Sequence, residues 1–162
     1  MNALCLIMFL FFSVTSIECN SQRGILDKKK NGDLFLKWLL NKRQEKNVST
    51  KPIELSMGTL WRMRKEIKFS GRDSLDIQLQ IEENNKATFD STLSPNKSFL
   101  EKTRIEDEYL KISRPIYFAN GKKLWVYIEH YCGDTCGEGF IQVYEINKKG
   151  YTLLFHISTW IS

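Results

Sequence analysis

The C-terminal third of the chain alternates apolar and polar residues with the period of two that marks half-buried strands. Residues 115–119 open one strand, and Asn120-Gly121 is a type I′ hairpin signal because both residues tolerate positive φ. Residues 124–131 follow, rich in aromatic and β-branched side chains; then come 139–146, an Asn147-Lys148-Lys149-Gly150 turn, and 151–161. Four strands on such short turns form an antiparallel meander, since parallel neighbours need crossovers of a dozen or more residues.

The N-terminal half carries helical patterns and one conflict. Asp33 is placed to cap a helix over 33–46, with Leu34, Phe35, Trp38 and Leu39 as its apolar stripe and Lys42, Arg43 and Lys46 in its last turns. Over 55–69, Trp61, Met63, Ile67 and Phe69 alternate with Arg62, Arg64, Glu66, Lys68 and Ser70, Lys65 being the single exception, which favours a half-buried strand; Leu60, Met63 and Ile67 also fit a helix. Read as a strand, the segment puts its bases on the wet face and Trp61 on the other. A nucleic-acid site needs stacking aromatics among the charges, so no nucleic-acid partner is expected. Over 72–85, Leu75, Ile77, Leu79 and Ile81 alternate with Asp76, Gln78, Gln80 and Glu82 as in a strand, yet the Gln, Glu, Leu and Asn content is compatible with a helix. Ser94-Pro95-Asn96 is a turn. The expected fold is α+β: an N-terminal helix, or helices, packed on a C-terminal antiparallel meander of about four strands.

Residues 4–17 are almost continuously apolar and end in small and polar residues. A membrane span needs roughly 20 apolar residues, so this run reads as a secretory signal over 1–21, followed by one α+β domain over 22–162 with no transmembrane helix. No Lys or Arg precedes the apolar run, which is off-pattern for such a signal. Cleavage after Ser21 or after Ser16 satisfies the small-residue preference. Lipidation of Cys19 is the weaker alternative, because Glu18 occupies a position where a small residue is wanted. The expected location is outside the cytoplasm: periplasm, outer-membrane surface or secreted.

The formal net charge of +5 becomes +6 when Glu18 leaves with the signal. The bases are spread along the chain, so this charge speaks for solubility or an anionic envelope surface more than for one basic binding element. Cys132 and Cys136 remain as an even pair in a compartment where disulfides persist. If 125–131 pairs with 140–146, the two cysteines flank a short loop at the hairpin's open end, within the Cα separation of about 4.4–6.8 Å that a disulfide requires.

An ordered series of motifs runs through the same region: Ser113-Arg114-Pro115-Ile116-Tyr117-Phe118, then Tyr131-Cys132-Gly133 with Cys136-Gly137 and Gly139, then Lys149-Gly150-Tyr151, and the ending Ser158-Thr159-Trp160-Ile161-Ser162. Over residues 98–162 the chain resembles small, uncharacterised exported proteins and lipoproteins of Bacteroidota-type bacteria that carry a Cys-Gly-x-x-Cys-Gly-x-Gly hairpin. Tyr117 stands where that group usually has Phe, and Tyr151 stands close to where it often has Trp. The resemblance implies export and tips 72–85 towards a helix preceding the sheet. It implies no activity and no cofactor.

His130, Cys132, Asp134, Cys136 and Glu138 form the alternative site, as ligands of zinc or copper or as redox-active thiols. The spacing is not that of a standard zinc knuckle, and His130 shares a strand face with Leu124, Val126 and Ile128. Catalytic thiols usually sit in C-x-x-C at a helix N-terminus, whereas this C-x3-C lies between strands. No hydrolase or phosphate-loop motif is present, and His156 is a lone strand histidine, so no catalytic residue is assigned. Trp125, Tyr127, Glu129 and Tyr131 share the other face of their strand, and Trp125, Tyr127 and Tyr131 are the candidate binding face. The favoured function is a non-enzymatic envelope or secreted module that binds a protein or envelope component. An enzyme or metal/redox protein centred on the Cys132–Cys136 loop is the alternative.

Overall fold

The computed structural model describes residues 28, 30–67, 69–104, 106–133 and 136–161. The chain falls into a short unit, residues 1–34, and a large one, residues 35–162. In the short unit residues 28 and 30–34 are helical; the expected signal over 1–21, its cleavage positions and Cys19 lie outside the described residues. Among the described residues no helix is long and apolar enough to cross a membrane.

The large unit begins with helix α1 (residues 35–42), followed by β1 (Asn47–Ser49), α2 (Met57–Glu66), α3 (Gly71–Asn84), β2 (Ser98–Leu100), β3 (Glu108–Ile112), β4 (Ile116–Phe118), β5 (Lys123–Cys132), β6 (Gly137–Asn147) and β7 (Gly150–Ile161). The expected helix over 33–46 is displaced: helical residues precede Asp33, which therefore does not cap it, and they stop at 42. Past that point the Lys97 ammonium donates to the carbonyls of Arg43 (2.7 Å) and Glu45 (2.6 Å), supplying partners where the helical ladder has ended.

The α+β expectation holds, but the sheet is larger than a four-stranded meander and is mixed. Seven strands take the order β2-β1-β3-β5-β6-β7, with β4 also beside β5. β1 runs parallel to β2 and β3, while β3, β4, β6 and β7 make antiparallel pairs. β3 and β4 share one edge of β5, opposite its 128–132 and 123–125 stretches. Buried Ser113 splices them: its N–H donates to the Tyr127 carbonyl (2.8 Å) and its Oγ accepts from the Tyr127 N–H (2.9 Å). The ladder thus crosses the offset before Pro115, which has no N–H to offer. The β4–β5 loop has four residues rather than two, and positive φ begins at Ala119 (51°) and continues through Asn120 (55°) and Gly121 (75°).

Both faces of the sheet are covered. Phe35, Leu36, Leu39 and Leu40 of α1 pack with Leu110, Ile112, Leu124, Val126 and Ile128 on one face. Met63 of α2 and Ile77 and Ile81 of α3 pack with Ile116, Trp125, Ile141 and Val143 on the other. The segment read as a strand over 55–69 is therefore mostly helix: Ser56 caps it, accepting from the Thr59 N–H at 3.3 Å, and only Met63 and Ile67 of its alternating set are deeply buried.

α3 resolves the conflict over 72–85 towards helix. The Ser70 hydroxyl accepts from the Asp73 N–H (3.1 Å) while Asp73 accepts from the Ser70 N–H (3.1 Å), a capping box. The Ser70 hydroxyl bond is the main force holding the Asp73 carboxyl below its usual value. Half of the apparent strand face, Leu75 and Leu79, is exposed; the inward face adds polar residues to Ile77 and Ile81. Asp73 accepts from the Ala119 N–H (3.0 Å), Gln80 accepts from the Tyr117 N–H (2.8 Å) and donates to its carbonyl (2.8 Å), and Asn84 donates to the Pro115 carbonyl (3.3 Å). Four helical residues rise about 6 Å and two strand residues about 6.7 Å, so Gln80 and Asn84 keep step with Tyr117 and Pro115.

Replacing Gln80 tests this clasp. Gln80→Leu leaves the Tyr117 N–H and carbonyl without that partner, and chemical denaturation should show a loss of about 1–3 kcal/mol. An unchanged denaturation midpoint and slope would show that the clasp contributes nothing to stability.

Candidate functional site

Strand β5 presents Trp125, Tyr127, Glu129 and Tyr131 to one face, as the alternation predicts, but the helices divide that face in two. Trp125 is fully buried at 0% exposure beneath α2 and α3, so it is removed from the candidate binding face. Tyr127, packed against the same cluster, and Tyr131, further along the strand, are half-buried.

Two residues not anticipated from sequence complete this end. Tyr109 on β3 stands directly across from Tyr131, with rings stacked at 4.6 Å between centroids and 14° between planes. Trp160 on β7 lies 5.7 Å from Tyr131 on the other side, tilted by 48°. It reaches there because β6 has glycines in between. A Cβ on Gly137 would stand 2.8 Å from the indole, and one on Gly139 closer still. The Gly-x-Gly of the hairpin is thus a floor for an aromatic ring, and glycine inside a strand is the available signal of such an approach.

Polar groups set the rim. Lys111 pairs in register with Glu129 across β3 and β5. The Tyr131 hydroxyl donates to Glu129 (3.2 Å), and the Thr159 hydroxyl donates to the Tyr127 oxygen (3.2 Å). Burial, and then the neighbouring Glu129 charge, push the Tyr131 phenol up to about 12, so it is neutral and able to donate at physiological pH. The assembly is an amphipathic aromatic surface: ring area with hydroxyl and charged tips.

The cysteine loop closes the same end of the β5–β6 hairpin. The Cα atoms of Cys132 and Cys136 are 5.2 Å apart, a disulfide-forming separation. The Cys132 N–H donates to the Cys136 carbonyl (3.1 Å), and Gly133 takes φ +103°, where a side chain would be strained. Asp134 lies outside the described residues. His130 does occupy the face of Leu124, Val126 and Ile128, and its ring nitrogens lie 3.6 Å from Glu108 and 4.0 Å from Glu138. Among the described residues no group of three His, Cys, Asp or Glu side chains is arranged to hold a metal ion. His156 is exposed on β7, apart from any such group.

A second surface corrects an argument made from sequence. In helix α2, Trp61 is 62% exposed and does not turn away from the bases. Arg64 lies 5.4 Å from its ring centroid, and Trp61, Arg62, Arg64 and Lys65 line a shallow concavity of about 540 Å³. The ground for setting nucleic acid aside, an aromatic opposite its charges, does not hold in this geometry.

No family model, no curated protein and no solved structure matches this chain.

Gly139→Ala should lift the indole of Trp160 from β6. A red-shifted tryptophan emission with a stability loss of about 1–3 kcal/mol is expected, against an unshifted spectrum if the ring does not rest there. Separately, Cys132 and Cys136 should resist alkylation in intact protein and accept two alkyl groups only after reduction. Immediate alkylation of both without reductant would show that the pair is not bonded.

Proposed function

We propose that the protein is an exported, non-enzymatic binding module whose contact surface is the aromatic end of the sheet: Tyr109, Tyr127, Tyr131 and Trp160. The observation carrying this reading is the juxtaposition of three half-buried rings, Tyr109, Tyr131 and Trp160, on a stretch of sheet face that belongs to neither core cluster. Aromatic residues with polar tips are the side chains most enriched at protein interfaces, because they combine large apolar area with few rotatable bonds. The partner class is accordingly a protein or envelope component offering an apolar patch with hydrogen-bonding groups at its edge. No cofactor is invoked.

Export rests on the apolar 4–17 run and on the pairing of Cys132 with Cys136. A bond between them would fix the start of β6, and with it the glycine floor under Trp160.

The test compares capture from an envelope fraction by the full chain and by Tyr109→Ala/Tyr131→Ala, both verified as folded by circular dichroism. Quantitative mass spectrometry should find a component retained by the parent and lost by the variant. Equal capture by both proteins, or no component enriched by the parent, would overturn this surface as the binding site.

A further inference from the structure

Helices α2 and α3 share one arrangement: each alternates apolar with polar residues although it is a helix. Residues two apart on a helix lie about 200° apart around its axis. Trp61 therefore stands opposite buried Met63, and Leu75 and Leu79 stand opposite buried Ile77, while Met63 and Ile77 pack on the sheet. The helix layer thus carries a second apolar set on its outward side, with Trp61 at 62%, Leu75 at 66% and Leu79 at 51% exposure. Bases flank this set. Arg62, Arg64 and Lys65 line the shallow concavity beside Trp61, and Arg72 is exposed at the start of α3. Among the described residues none of these four bases forms an ion pair, and Arg64 lies over the Trp61 ring. From Met57 to Leu75 the sequence holds five Lys or Arg against two acids, Glu66 and Asp73. Asp73 is engaged by Ser70 and the Ala119 N–H.

We propose that this outward helix face docks on an anionic lipid surface, Trp61 and Leu75 entering the headgroup layer and the bases meeting lipid phosphates. Indole rings suit the boundary between hydrocarbon and water because they join an apolar body to a polar N–H. Arg and Lys lay their aliphatic stems along apolar surface while their charged heads reach the phosphates. Apolar burial and charge attraction then act together, as in helices that lie in the plane of a bilayer interface. Glu82 and Glu83 are exposed at the far end of α3, where Glu83 meets Lys86 at 3.4 Å. The contact is therefore centred on Trp61 and Leu75, with Leu79 at its margin. A single-stranded nucleic acid could stack on Trp61, but Leu75 and Leu79 offer its bases no π face. A fluid lipid interface closes around apolar tips on two helices without needing a matching shape. The aromatic end of the sheet uses other residues, so either reading can fail alone.

Trp61 emission, taken as the difference between the full chain and Trp61→Phe, reports the contact directly. It should shift to the blue and be quenched by brominated acyl chains in vesicles of equal parts phosphatidylcholine and phosphatidylglycerol. Phosphatidylcholine alone should leave it unchanged, and added salt should reverse the quenching. Each base near an anionic surface is worth about fivefold in affinity. Arg62→Gln/Arg64→Gln/Lys65→Gln, with unchanged circular dichroism, should therefore need roughly 100-fold more anionic lipid for half-quenching. Leu75→Ser, which leaves the charges in place, should weaken binding by about tenfold. Because the signal is that of Trp61, attachment through residues 4–17 alone does not produce it. No quenching in either lipid, equal quenching in both, or quenching untouched by the triple substitution overturns the inference. So does binding of a single-stranded oligonucleotide, lost in the triple variant, without any vesicle signal; the face would then belong to nucleic acid.

Discussion

A sheet edge that lies against a helix instead of water must find hydrogen-bond partners among side chains, and β4 finds them on α3. Asp73, Gln80 and Asn84 take up the outward main-chain groups of Ala119, Tyr117 and Pro115. Unsatisfied, such buried groups would each cost free energy comparable to a lost hydrogen bond. The clasp holds α3 against the sheet, and the helix then presents Ile77 and Ile81 to Trp125 and its neighbours. Tyr127 packs at the margin of that cluster, and past it the same face carries Tyr131, Tyr109 and Trp160, so the extent of the candidate surface is set by the helix cover as much as by the strands.

The same clasp shows why the α3 segment reads two ways in the sequence. Strict alternation of Leu75, Ile77, Leu79 and Ile81 is a strand signal only if apolar residues point inward. Here Leu75 and Leu79 face solvent while polar Asp73, Gln80 and Asn84 face the sheet. α2 misleads in a similar manner, because its exposed Trp61 alternates with arginines. By contrast β5, β6 and β7 follow from local signals, namely period-two runs joined by short turns. β1 and β2 leave almost no trace: each has three residues, and each is a strand only because a distant partner lies beside it.

At the site, the shared face of Tyr127 and Tyr131 was legible from alternation alone. The burial of Trp125 was not, since it depends on which helix lies over which half of the sheet. Tyr109 and Trp160 belong to strands on either side, and cross-strand neighbours depend on register rather than on spacing in sequence. The motif residues Ser113, Gly137 and Gly139 have structural tasks here, splicing a ladder and making room for a ring.

The mixed direction of the sheet also has a consequence in time. The β4–β5, β5–β6 and β6–β7 pairs close over short turns, so they can form on the microsecond scale of hairpins. The parallel margin must wait. Thr50 donates to Leu100 across a separation of 50 residues, and loop-closure entropy has to be overcome before β1 can dock between β2 and β3. Loop closure thus costs least among the C-terminal strands and most at the parallel margin.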